Sequence, residues 1–549
     1  MKHRAAPSTQ EELEGDLELE SAESRSVVAW LRNMPCFALS ALLHLILLLA
    51  MINIVYHEAV KEDPGTQCQF GIASAPKPKP PADYRERKRG TEDQIKIPGP
   101  PALADFTIAK VTKEVDEVTT DIPLGTSLEE AGDRKLDFSD LVPGNLSWTI
   151  GTGRGVLGPR GLPSGHPAFV REGGSPPTED AVRAALEWLL RHQDAGGSWK
   201  AAKYIHRCET RCASERGGSI SEGFDNVDVG VTALAMLAFA GYGHTHRYGA
   251  HEEYVECLRR AVDYMKRVQV HSDDPSTDGR FGDGSHEHWM YNHLIATMAM
   301  AELLVMSGDG LGLKKPVTDA VKLILHAQND GFGWRYGVKP GDSDTSVTGW
   351  AVLALKAAKI ANLGIPADAF DRAFSGALHW IDRATSSSGK TGYQAPGDEG
   401  SRLGGVFPEP YPFTKDLSCM TAVGVLCRIF AGQSRSSPVI RKGVDLLLAQ
   451  APRWQEPKGR VLSTINFYYW YYGSYALFQF GGEEWKKWNK AMIEALVSTQ
   501  RQGDICEDGS WDPVDEWGPA GGRVYATALG AMTLEVYYRF RRLTTGVGG

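Results

Sequence analysis

The stretch RAALEWLLRHQDAGGSW, residues 183–199, contains Trp188, Leu189, Gln193, Gly197 and Trp199 at a fixed spacing, and the chain repeats that spacing. A second copy, AVKLILHAQNDGFGW at 320–334, again places Gln328 six residues before Trp334. Weaker copies are RAVDYMKRVQ from Arg260 ending in GRFG, GALHWIDRA from Gly376 ending in TGY, KGVDLLLAQ from Lys442, and ALVSTQ from Ala495 ending in DGSW. An internal repeat fixes an architecture before any local assignment does, because each unit buries its apolar face only against its neighbours. Six segments of another kind lie between the copies and are nearly free of charge: VDVGVTALAMLAF from Val227, MYNHLIATMAMAELLVM from Met290, SVTGWAVLAL from Ser346, CMTAVGVLCRIF from Cys419, FYYWYYGSYALFQF from Phe467 and VYATALGAMTLEV from Val524. A helix apolar on every side is buried, whereas Val182, Ala185, Leu186 and Leu189 form the single stripe of a half-exposed one. Six of each kind in alternation predict two concentric rings, an all-α (α/α)6 toroid over residues 175–543. Gly230, Gly349, Gly424, Gly473 and Gly530 are expected to let inner helices approach one another closely.

The Gln…Gly-x-Trp pattern of Gln193, Gly197, Trp199, Gln328 and Trp334 resembles the QW signature of squalene cyclases, and so the terpenoid-cyclase and protein-prenyltransferase superfamily of toroids. GDSDTSVTGW, YYWYYGSYALFQFGGEEWKKWNKAM and GSWDPVDEWGPAGGRVYATAL also look like stretches of bacterial membrane-anchored prenyltransferase and squalene oxidase repeat proteins, which implies a fold and an envelope setting. Both catalytic patterns of the superfamily are incomplete here. The acidic motif of the cyclases is approached by Asp342-Ser343-Asp344-Thr345-Ser346, with one Asp fewer, so Asp342 and Asp344 are the candidate proton donors and an ordinary helix cap is the alternative. The zinc site of the prenyltransferases is approached by Asp416-Leu417-Ser418-Cys419, one residue too wide, and no His follows His379 to complete it. No cofactor is expected. The aromatic run from Tyr468 through Tyr472 to Tyr475, with Tyr291, His293, Trp350 and Tyr525, is the candidate lining of a central pocket for an isoprenoid, a lipid or a protein segment, with core packing as the alternative.

The net charge of −9 and the lack of a basic stripe leave a nucleic-acid partner without an electrostatic footprint. His206, Cys208 and Cys212 form a weak metal candidate, for which a Cys208–Cys212 disulfide is the simpler outcome in an oxidising compartment. His286, His288 and His293 form a second weak cluster.

Ahead of the toroid, residues 36–56, CFALSALLHLILLLAMINIVY, carry no formal charge. At ~1.5 Å per residue the run is about 31 Å long as a helix, enough for one membrane span. Arg25 and Arg32 precede it and Lys61 follows, so residues 1–35 are expected in the cytoplasm and the toroid outside it, in the periplasm. Ser40 and His44 lie one helical turn apart in this span, resembling the anchor of TonB-type energy transducers that face a proton-driven complex; a neutral His at a lipid or helix contact is the alternative. Residues 57–174 are rich in Pro and Gly and read as a mostly disordered linker, with a short strand or docking arm expected at 105–118.

Overall fold

The computed structural model describes residues 153–155, 158–160, 170, 172–207, 222–398, 412–414, 417–503 and 505–539. The expected membrane span with Ser40 and His44, the arm at 105–118, Cys208, Cys212 and Asp416 lie outside the described residues. Within them, no helix is long and apolar enough to cross a membrane.

Among the described residues, twelve helices of twelve residues or more alternate between two rings. The outer ones are α1 (Pro176–Arg191), α3 (Glu252–Val268), α5 (Gly310–Ala327), α7 (Ala367–Arg383), α9 (Pro438–Ala449) and α11 (Gly482–Val497). The inner ones are α2 (Asp228–Gly241), α4 (Trp289–Ser307), α6 (Thr345–Ile360), α8 (Cys419–Phe430), α10 (Phe467–Phe480) and α12 (Gly518–Leu534), followed by a short α13 (Val536–Arg539). Pro176 opens α1 where a missing N–H costs nothing, Glu179 and Arg191 match the helix dipole at its two ends, and Val182, Ala185, Leu186, Trp188 and Leu189 bury one face. Every residue of α10 is buried, and so is every residue of α2 after Asp228. The inner helices pack in the cycle α2, α4, α6, α8, α10, α12 and back to α2, which closes the ring. The expected toroid is therefore present, with inner-helix starts within two residues of the expected positions except at α12. There Gly522 leaves helical geometry at φ 63, ψ −166, and the regular inner segment follows it.

The repeat motif ties the outer ring together. Gln193 Nε2 donates to Gly197 O and to Cys257 O on α3, both at 2.9 Å. Gln269 reaches Gly279 O and Pro316 O on α5, Gln328 reaches Phe332 O and Ala373 O on α7, and Gln500 reaches Gly509 O and Ala181 O on α1. That last pair joins the sixth outer helix to the first. The indole N–H of Trp199, Trp334 and Trp511 donates to Leu189 O, Ile324 O and Leu496 O of its own outer helix.

A second set of links runs inward. The backbone N–H groups of Trp199, Trp334, Thr391 and Trp511 donate to Thr232, Thr348, Thr421 and Thr527 near the start of the inner helices. These threonines passed unnoticed in the sequence because a lone Thr in an apolar run has no pattern of its own.

The glycines divide by role. A Cβ on Gly349 would meet Val423 of the neighbouring inner helix and one on Gly230 would meet Asn292, as expected. Gly424, Gly473 and Gly530 instead make room for Thr391, Trp488 and Trp511, which belong to loops and the outer ring. Within the expected linker, Gly153–Gly155 and Gly158–Arg160 form an antiparallel two-stranded hairpin, so that part of it is ordered, and its second strand lies beside α13.

Candidate functional site

The N-terminal ends of the inner helices bring together residues from five different repeats. Asp344 is the N-cap of α6: its Oδ1 accepts from Val347 N at 2.7 Å. Its side chain is fully buried, and Oδ2 has no hydrogen-bond partner among the described residues, although the Tyr393 hydroxyl lies close enough to act on the carboxyl. Burial pushes its pKa up to about 7, against the smaller opposing pull of the Val347 N–H and of Arg335. The capping role and the perturbed acid are thus the same residue.

Asp342 does not join it. That carboxylate is half exposed and paired with Arg335, so the expected acidic pair is corrected to a single interior acid. The physical reason is the loop geometry: Trp334 and Asp344 pair as a β-bridge, which places Asp344 inside while Asp342 stays on the rim.

Around Asp344, Tyr291 donates to Ser346 Oγ at 3.0 Å, and Ser346 Oγ lies 3.0 Å from the Tyr468 hydroxyl. Below them Trp350 meets Tyr472 edge-on at 5.5 Å between centroids and lies parallel to Tyr471 at 6.0 Å, while Tyr468 and Tyr472 are 4.9 Å apart. The Tyr472 hydroxyl is buried and has no partner among the described residues. Burial holds the Tyr291 hydroxyl and the Cys419 thiol far above their ordinary pKa values, yet both side chains keep accessible surface. That combination marks groups that face an interior space rather than the outer surface or a filled core.

Asp515 is a second interior acid that sequence reasoning missed. It precedes α12, is 1% exposed, and has Oδ2 accepting from Phe467 N at 3.0 Å and from the Tyr525 hydroxyl at 3.1 Å. Oδ1 has no partner among the described residues, and burial pushes this carboxyl too up to about 7, with Glu516 adding to the effect. Its signal was its position, between a Gly-x-Trp and the next inner helix as Asp344 is, and not any motif of its own.

The remaining candidates separate. His293 turns to the outer ring, accepting from Phe281 N and lying 3.2 Å from Ala320 O, so its expected place in the pocket is corrected: both nitrogens are used by backbone. His286 lies against Asn292 and the His288 ring packs at a tilt against Tyr336, so the three histidines do not converge. His206 is exposed on a short 3-10 turn. Among the described residues no three His, Cys, Asp or Glu side chains are placed to share a metal ion.

These helices define an α/α toroid, and over part of its length the sequence is similar to that of a terpenoid cyclase. No family model matches the chain. A squalene–hopene cyclase of Zymomonas mobilis is 27% identical over 196 residues, 34% of this chain and 27% of that enzyme, so the chain spans little more than a quarter of the curated relative it matches. Among solved structures, a type II terpene cyclase from Scytonema has a TM-score of 0.39 at 15% identity, covering 65% of this chain and 98% of that one. An α-1,6-mannanase of Salegentibacter sp. HEL1_6 has a TM-score of 0.44 at 10% identity, covering 66% and 100%.

Proposed function

We propose that the toroid binds an isoprenoid-like or lipid-like apolar ligand at the N-terminal end of its inner ring, and that residues 36–56 tether it to the membrane with the toroid outside the cytoplasm. The observation that carries the ligand is that Tyr291 and Cys419 keep accessible surface deep within the ring, backed by the packed aromatic layer of Trp350, Tyr468 and Tyr472. An aromatic wall favours an apolar body. The test is mass spectrometry of lipids extracted from the full chain purified in detergent. A bound polyprenyl lipid, reduced in Trp350→Ala while the helical circular dichroism is kept, supports the reading. An empty native chain that also fails to take up squalene saturably overturns it.

A second reading, in which Asp344 donates its proton to an alkene, draws on the same raised pKa. The like-charged neighbour that would keep such a donor protonated against neutral solvent is turned outward at Asp342. We expect no cyclised product from squalene; product that disappears in Asp344→Asn would put catalysis ahead of binding.

The tether reading rests on the sequence of residues 1–61, and its proton-driven inner-membrane partner on Ser40 and His44. A cytosol-only fluorescent reporter fused to the C-terminus is expected to stay dark. Bright fluorescence reverses the topology.

A further inference from the structure

The opposite end of the inner ring holds a group that the proposed ligand site does not use. Lys356, in the last turns of α6, lies deep within the molecule yet keeps part of its surface accessible. Its Nζ stands 3.2 Å from the centroid of the Phe430 ring and 3.5 Å from the Tyr475 hydroxyl, and it makes no ion pair among the described residues. The carboxylate that acts on it, Glu302, is committed elsewhere. Glu302 and Glu535 both pair with Arg539, at 2.8 and 3.3 Å, and Arg539 also donates to Leu237 O.

We propose that Lys356 is a covalent attachment site for an apolar aldehyde, held as an imine within the inner ring. Burial lowers the amine to about pKa 7, with Glu302 opposing, so roughly half of it is the neutral nucleophile near pH 7. An anionic head group is disfavoured, because two carboxylates already share one guanidinium in this layer. The Nζ lone pair attacks the carbonyl carbon and forms the C–N bond. The carbonyl oxygen gains a proton and, as the carbinolamine hydroxyl, leaves as water with the second N–H proton. Amine plus aldehyde thus gives imine plus water, with no oxidant or reductant. The Tyr475 hydroxyl is the group within reach to carry the proton.

This inference rests on the reading that the ring's interior admits an apolar ligand. The full chain in detergent is incubated at pH 7 with farnesal, a fifteen-carbon isoprenoid aldehyde, and cyanoborohydride, and the adduct is mapped by peptide mass spectrometry. Squalene uptake is measured in parallel. We expect about one adduct per chain on the peptide containing Lys356, at least tenfold less in Lys356→Met, a variant that removes a buried amine and keeps its volume. The labelling rate should climb with pH through about 7 and then level off. Adducts spread over surface lysines with Lys356 unmodified overturn the proposal. Squalene uptake without reaction at Lys356 defeats this site alone, whereas failure of both removes the ligand reading with it.

Discussion

Asp344 shows how one residue can satisfy a local rule and break a general one. An Asp before a helix ordinarily caps it as a carboxylate, and Asp344 does cap α6. Full burial then makes the charge costly, and its folded-state pKa stands near 7 against 3.8 for the free side chain. The folded chain therefore binds the extra proton between those values, so the contribution to stability is complete below about pH 3.8 and is lost as pH rises through about 7. Asn keeps the cap and cannot ionise. We predict that Asp344→Asn gains stability on the native chain between pH 5 and pH 8, read from urea unfolding at both; an unchanged difference would show a solvated carboxyl. The histidines act in the other sense. Burial depresses His192 and His244 to about 4 and His293 to about 3, so their contribution is present above about pH 6.5 and falls away as pH drops toward 4. We predict that His293→Gln flattens the loss of stability between pH 6.5 and 4, measured by the same unfolding series.

At the scale of the element, the repeat is a joint between helices rather than a surface. Gln193 satisfies one carbonyl in its own loop and one on the next outer helix, so Gln193→Ala leaves two buried acceptors without their donor. The expected cost is about 1–3 kcal/mol for each acceptor left unsatisfied, checked by chemical denaturation. Gly197 shows why the loop is so tight. It sits at φ +90, where a Cβ would stand 2.2 Å from Arg260 O of the neighbouring helix. Gly331, in the second copy, has φ +74 and open space around it. Both alanine variants meet the left-handed backbone penalty, but only Gly197→Ala also meets a clash. Gly197→Ala should therefore melt clearly below Gly331→Ala; equal melting temperatures would mean that the two loops share the same freedom.

At the largest scale the described helices form a ring, and rings fail at their closures. The α12 to α2 contact and the Gln500 bond to Ala181 O join the last repeat to the first. Arg539, with no exposed surface, ties α13 to Glu302 of α4, Glu535 and the end of α2 across the axis. Removing one member of such a buried set leaves the others charged and unpaired. Arg539→Met is predicted to cost about 3–5 kcal/mol, with part recovered on adding Glu302→Gln, in a double-mutant unfolding cycle. Additive effects would show that the two groups are not coupled.

The sequence by itself determined the ring. Apolar periodicity and the Gln-to-Trp spacing are local properties, and each repeat prints them in full or in part, so twelve helices and their order were legible along with the aromatic layer of Trp350, Tyr468 and Tyr472. Only the tertiary structure decided which acids matter. Asp342 and Asp344 are two residues apart and differ in sequence by nothing that fixes burial, yet one reaches Arg335 on the rim and the other is sealed inside. Asp515 and Lys356 belong to no motif, and they became visible only when distant repeats closed around them and withdrew the water that sets an ordinary pKa. Periodicity records which face a residue takes on its own helix, whereas desolvation depends on what every other helix places opposite it.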